Sequence, residues 1–466
     1  MLRRARRHVG WMVAALALCC AAGCTRPPPD VIIIVVDTLR ADRLGAGGGR
    51  PGLTPFIDSL AASGVVFSNA YSPTSWTNPA VASLFTSRYP SQHHLSNFDS
   101  VLADDELTLA ERLRDAGYRG MGISANFRLL ARLGFDQGFD AWAALVAPSL
   151  STPKVSAKRV EQVAFRYYDR FFAPYRYTRW ARRRRPMLLY FQFLEPHAPY
   201  DPPMHLRRRI AGAPPPGVSD AEINAKLLDR LRWRELSPPE VARLRVLYDA
   251  EVAELDRRLG RIFEGFRSRG LLDRAIIVFT ADHGEELREH GRFQHGNTLY
   301  QESVRIPLFI AGPGLPAGRV VTDQVSLVDV APTVLELLGL PPEPRFEGRS
   351  LLRHLGGAEP ADVVLQLLPT GDPIDVHAHV GGLVHDGVKL LVPPEEAGRS
   401  PELYDLRDDP GETRSDPPPA IAEQTPALEA RLKARDDEFA ARAGKVQRGS
   451  LSEDERDRLR ALGYAD

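Results

Sequence analysis

Cysteine is missing from almost the whole chain: Cys19, Cys20 and Cys24 all fall within the first 24 of 466 residues. The body of the protein has no disulfide, no thiolate metal ligand and no thiol nucleophile, so its chemistry must rest on oxygen and nitrogen groups. Net charge is missing too, since 60 Lys and Arg balance 60 Asp and Glu. That removes the usual footprint of a nucleic-acid partner. With Arg3, Arg4, Arg6 and Arg7 set aside, the remainder is slightly acidic. The apolar stretch 9–20 is too short to cross a bilayer comfortably as a helix of the mature protein. No internal repeat is present.

That stretch follows the four arginines and runs into Ala21-Ala22-Gly23-Cys24, small residues before a cysteine. The pattern resembles a lipoprotein signal, so residues 1–23 are expected to be a leader and 24–30 a proline-stiffened tether. A lipidated Cys24 would then hold the protein to a membrane, as an exported cell-envelope lipoprotein on the periplasmic face. An ordinary signal peptide and an uncleaved anchor are the alternatives, and each also implies export. The remaining chain, in a sequence 43% hydrophobic and 26% charged, has the make-up of a soluble globular protein. It has room for one large α/β domain with additions, or for two to three ordinary ones.

Three short β-branched and aromatic runs read as fully buried strands, and each ends at ionisable residues. VIIIVV (31–36) ends at Asp37, MLLYFQF (187–193) at Glu195 and His197, and the run 275–280 at Asp282 and His283. In open α/β sheets chemistry gathers beyond the carboxyl ends of strands. An isolated polar strand end is as easily a solvated loop, but three together argue for a site. Helix signals separate the strands: Thr54-Pro55, the capping box Thr108/Glu111, and Ser237-Pro238-Pro239-Glu240 opening a helix with an apolar stripe from Val241 to Phe266. Ser75 to Arg88 reads as a turn into a helix with Thr77 at its N-cap, either a plain cap or a hydroxyl placed for an anionic ester. Strand 306–310 and helix 329–338 come next, and from 362 short strands with turns suggest a small antiparallel subdomain. The stretch from 416 reads as a polar surface helix.

Asp37, Thr77, Asp282 and His283, with His197 and His295 near, describe a divalent metal site with a hydroxyl nucleophile beside it. The stretches VVDTLRADRLG, ASLFTSRYPSQH, FLEPHAPYDPP, TADHGEELREHG, SLVDVAPTVLELLG with EGRSLL, and ELYDLRDDPGE resemble the sulfatase branch of the alkaline phosphatase superfamily, over 30–466. The resemblance implies an α/β fold: a central mixed sheet sandwiched by helices in 31–358, a small C-terminal antiparallel sheet subdomain in 359–415, and a helical tail in 416–466. It also implies Asp37, Thr77, Asp282 and His283 as metal ligands, with Thr77 as nucleophile.

Departures from the sulfatase pattern are equally informative. Sulfatases carry Cys or Ser in a C/S-x-P-x-R motif and oxidise it to formylglycine, whereas this chain has Thr77-Asn78-Pro79-Ala80-Val81. The Thr methyl bars that oxidation to an aldehyde, so no formylglycine is expected. The paired aspartates become Asp37-Thr38, and the lysine twelve residues after the Asp-His pair becomes His295. These changes resemble the threonine-nucleophile relatives, phosphodiesterases and lipid A phosphoethanolamine transferases, and give His197 and His295 the role of gripping the substrate or a second metal. The expectation is a hydrolase or transferase that cleaves phosphate rather than sulfate esters on a small molecule, glycan or lipid. Zinc suits the ligands; calcium or manganese is the alternative. A true sulfuric ester hydrolase and a non-catalytic envelope binding protein that keeps the fold are the rival readings. Glu195 and His290 stand as outer candidates.

Overall fold

The computed structural model describes residues 28–147, 149, 154–173, 185–368, 379–414 and 417–462. The leader, Cys24 and most of the tether lie outside them. Among the described residues no helix is long and apolar enough to cross a membrane.

Nine strands form the central sheet. Val31–Val36 lies in the middle, parallel to Met187–Phe193 on one side and to Ile276–Ala281 on the other. Arg119–Ser124 and then Ala141–Ala144 extend the parallel run beyond Met187–Phe193. The middle strands are buried on both faces, which is why they read as unbroken apolar runs. On the other flank Leu308–Ala311 runs antiparallel to Ile276–Ala281. It also pairs with Val65–Tyr71, as does Arg305–Ile306. The single strand expected at 306–310 is thus two short pieces, since Pro307 between them has no N–H to donate to a ladder. Arg319–Ser326 completes the sheet, parallel to Val65–Tyr71.

Helices cover the sheet. The longest is Pro238–Ser268, opened by the Ser237/Glu240 capping box. Its stripe residues Leu244, Tyr248, Val252, Leu255 and Leu259 are fully buried. Each such side chain contributes roughly 1.5–3 kcal/mol by leaving water. This helix packs on Pro55–Ala62 and Ala157–Tyr167, while Thr77–Thr86 packs on Leu109–Asp115 and Val330–Leu337. The expected capping box at Thr108 and Glu111 is present.

A separate antiparallel sheet is formed by Val363–Gln366, Gly381–His385, Val388–Val392 and Glu402–Asp405. Helix Thr425–Ala441 lies against it, and Phe439, fully buried, stacks on Tyr89 at 4.4 Å. The tail is therefore more than a polar surface helix, because a few apolar side chains spaced along it fold back onto the body. Gln447–Arg448 even pairs with Ser100–Val101.

Candidate active site

Register fixes the centre of the site. Val36 lies opposite both Ala281 and Phe193, so Asp37 and Asp282 leave adjacent parallel strands side by side at the carboxyl edge. Ligand atoms of Asp37, Asp282 and His283 lie within 4.8 Å of one another, and all three side chains are fully buried. His283 Nε2 stands 3.7 Å from Asp37 Oδ1 and 3.8 Å from Asp282 Oδ1. The Nδ1 of His283 is 2.9 Å from the Gly284 carbonyl, a contact that places the proton on Nδ1 and leaves a lone pair on Nε2 facing the carboxylates.

Thr77 comes from the strand Val65–Tyr71 through a five-residue turn into helix Thr77–Thr86. The N-cap position belongs to Trp76, not to Thr77, which is the first helical residue. With no capping bond to make, its hydroxyl turns to the acidic centre. Oγ1 lies 3.4 Å from His283 Nε2 and 3.5 Å from Asp37 Oδ2. Val81, one helical turn on, is fully buried.

The two further histidines stand near the centre. The His295 ring lies 4.5 Å from that of His283, and the His197 ring lies 4.9 Å from that of His295. His295 Nδ1 is 3.2 Å from Glu285 Oε1, and His197 Nδ1 is 2.6 Å from the Ala198 carbonyl. The two outer candidates go elsewhere. Glu195 accepts from the Ala157 N–H at 2.7 Å, and burial pushes it up to about 7. His290 pairs with Glu302 at 2.6 Å.

Two residues not anticipated from the sequence belong to the centre. Asn126 Nδ2 donates to Asp37 Oδ2 at 2.6 Å and lies 3.5 Å from Thr77 Oγ1. Gln192 Nε2 donates to Asp282 Oδ2 at 3.0 Å. Asn126 follows Arg119–Ser124, a strand with two glycines and little apolar character, so its strand end gave no signal. Gln192 lies inside a strand that reads as uniformly apolar, and its one amide was the available clue.

Electrostatics argue that a cation belongs here. Burial, aided by the Asp282 charge, pushes Asp37 well above the usual carboxylate range. Burial does the same to Asp282 and pulls His283 down. Asp37 Oδ1 is buried with no hydrogen-bond partner. An orphaned buried carboxylate oxygen is costly unless a donor or metal faces it. The donor set, two carboxylates, one imidazole and one hydroxyl, is what a divalent cation takes. The residues fit a metal.

A mixed sheet that delivers these groups to one edge, together with a separate small antiparallel sheet, is the architecture of a hydrolase of the alkaline phosphatase superfamily. Residues 29–340 match the sulfatase family, and residues 288–437 match the C-terminal region of N-sulphoglucosamine sulphohydrolase. The chain belongs to the sulfatase family. It is 28% identical to the multifunctional alkaline phosphatase superfamily protein PehA of Trinickia caryophylli, across 81% of this chain and 89% of that one. It is 26% identical to arylsulfatase K of Bos taurus, across 77% and 72%. Among solved structures, the phosphonate monoester hydrolase of Agrobacterium radiobacter superposes with a TM-score of 0.67 at 22% identity, covering 92% of this chain and 99% of that one. BT4656, solved with its substrate D-glucosamine-2-N,6-O-disulfate, gives 0.70 at 19%, covering 89% and 98%. At these identities the structural likeness is one of fold.

Proposed function

We propose that the chain hydrolyses or transfers phosphate-type esters, with Thr77 Oγ1 as nucleophile. The observation that carries this reading is the approach of that hydroxyl to both His283 and Asp37, from 206 and 40 residues away in sequence. Thr77 Oγ gives up its proton and bonds to phosphorus while the ester P–O bond opposite breaks, leaving phosphothreonine and a free alcohol. Water then attacks phosphorus, the P–Oγ bond breaks and Oγ regains a proton. An acceptor alcohol in place of water makes the second step a transfer.

Asp37, Asp282, His283 and Thr77 would hold a divalent cation, and zinc suits this nitrogen and oxygen set better than calcium, with manganese between. When bound, such a cation supplies Lewis acidity, lowering the pKa of the hydroxyl and neutralising the ester's oxygens. Asn126 holds Asp37 by its 2.6 Å bond, and Gln192 holds Asp282. His197 and His295 line the approach and bind the ester's oxygens or its leaving group. Burial keeps His197 uncharged in the resting site, pulled down to about 3, and keeps His295 uncharged as well. An entering anion favours their protonated forms.

Three features support phosphorus over sulfur: a threonine that cannot become an aldehyde, Val81 where the sulfatase motif has arginine, and His295 where it has lysine. Purified mature chain given aryl phosphate, aryl phosphodiester, aryl phosphonate and aryl sulfate tests the choice. One phosphorus ester is expected to exceed the sulfate by about 100-fold in kcat/KM, close to 3 kcal/mol of transition-state preference. Thr77→Val should abolish that turnover, and mass spectrometry of quenched wild type should find phosphate on Thr77. Dominant sulfate turnover, or full activity of Thr77→Val, sinks the reading.

A further inference from the structure

A cleft of about 620 Å³ is lined by Arg230, Arg234, Arg288, His290, Arg292 and Arg399, and no described residue lining it is acidic. Trp233 and Tyr300 add aromatic surface to its walls. Its volume is in the range of roughly 300–1,000 Å³ that whole organic ligands occupy, much more than one ester group needs.

The cleft and the active site are built on the same hairpin. Strands Glu286–Leu287 and Phe293–Gln294 pair, and Arg288, His290 and Arg292 sit on the turn between them. His295 follows the second strand directly. The far wall is the segment 228–235, which is fastened to that hairpin: the Trp233 ring meets Phe293 edge-on at 5.9 Å, and Gln294 Nε2 donates to the Leu227 carbonyl at 3.2 Å. The Arg288 guanidinium lies 6.0 Å from the centre of the Phe293 ring. Although burial acts against it, the Glu302 carboxylate holds His290 protonated, up to about 9. Five of the six cationic side chains thus lie on the hairpin that leads to His295 or on the wall fastened to it; the sixth, Arg399, comes from the C-terminal part of the chain and pairs with Glu402 at 3.0 Å, as His290 does with Glu302. Guanidinium groups match sulfate and phosphate oxygens in geometry as well as in charge.

We propose that this cleft is a substrate subsite for a second anionic group, so that the preferred ester carries at least one further sulfate or phosphate on a sugar-sized scaffold. The proposal rests on the reading that the Thr77 site cleaves esters. Binding is tested apart from turnover, by calorimetric titration of sucrose octasulfate into Thr77→Val protein. Adding Arg230→Ala with Arg234→Ala is expected to weaken binding by about tenfold, each of these two solvent-exposed charge contacts having an effect of about threefold. Arg208→Ala with Arg209→Ala, an equal charge loss at two exposed positions elsewhere, is expected to change it less than twofold. Equal weakening by both pairs, or none by either, overturns the subsite. Arg234→Gln alone keeps most of the side chain's length and guards against a folding defect; it should weaken binding about threefold and leave the melting temperature in place. In kinetics, the Arg230/Arg234 pair should raise KM for an aryl ester bearing a second phosphate and spare the singly charged parent. Unchanged discrimination between the two esters also overturns it. If Thr77→Val retains turnover, the ester chemistry fails while the titration still decides the cleft.

Discussion

Asn126→Ala is the sharpest probe of the proposed metal centre, because Asn126 touches ligands without being one. Its amide donates to Asp37 Oδ2 at 2.6 Å, in a setting where Asp37 and Asp282 are both fully buried. A hydrogen bond to a charged acceptor contributes about 1.5–3 kcal/mol, and losing the partner of a metal ligand typically costs about 10–100-fold in metal affinity. The two magnitudes agree, since tenfold corresponds to about 1.4 kcal/mol. Asn126 Oδ1 also accepts from the Arg128 N–H at 2.9 Å. Loss of that neutral bond should lower stability by about 1 kcal/mol, which leaves the fold intact. Zinc affinity, measured by competition with a chromophoric chelator, is therefore expected to fall by about 10–100-fold, with kcat/KM falling in step. Asn126→Asp makes the opposite case. It sets a third carboxylate beside Asp37, so the metal-free protein should melt lower and zinc should restore it by more than in wild type. If Asn126→Ala binds zinc within twofold of wild type, the positioning argument is wrong.

Other outcomes rest on the same structure. Lys389 and Glu412 are both fully buried and form an ion contact of 2.7 Å. Lys389→Met strands the Glu412 carboxylate and should cost about 3–5 kcal/mol in urea unfolding, while Lys389→Met with Glu412→Leu should recover a good part of it. A loss below about 1 kcal/mol for the single change would show that the pair is uncharged in the folded protein. His290 is held up to about 9, above its ordinary 6.5, so its contribution to stability is complete below pH 6.5 and disappears as pH rises through 9. Glu302→Gln should flatten the melting-temperature decline of that window; an unchanged slope would assign the decline to other groups. Cys24→Ser should abolish incorporation of labelled fatty acid in cells and release the protein from membranes. Persistent labelling of that variant would refute the lipoprotein reading.

Much of the framework was legible because it depends on signals local in sequence. Val31–Val36, Met187–Phe193 and Ile276–Ala281 are buried on both faces, and burial on both faces leaves an unbroken apolar run in the sequence. Capping boxes at Thr108 and Ser237 work over four residues and were found for the same reason. Orientation was not legible: Leu308–Ala311 runs against its neighbours, and nothing in four apolar residues records direction. Asn126 escaped notice because Gly120 and Gly122 dilute its strand, where the Phe139 and Trp142 rings take the space that side chains would fill. The gathering of Thr77 with His283 is a long-range fact. Individual residues raised it only as one option, and the family resemblance gave it a definite form.

The buried Lys389–Glu412 contact has a consequence for how the active-site loop is held. Glu412 also accepts from the Gln301 N–H through its side chain and faces His290 Nε2 through its carbonyl, so the loop bearing His295 is fastened from a point more than a hundred residues downstream. A nascent chain that has emerged as far as residue 340 already possesses every acid, imidazole and hydroxyl of the centre. It lacks the clasp that sets the loop in place. Part of the support of the active-site loop is thus encoded in the last quarter of the chain.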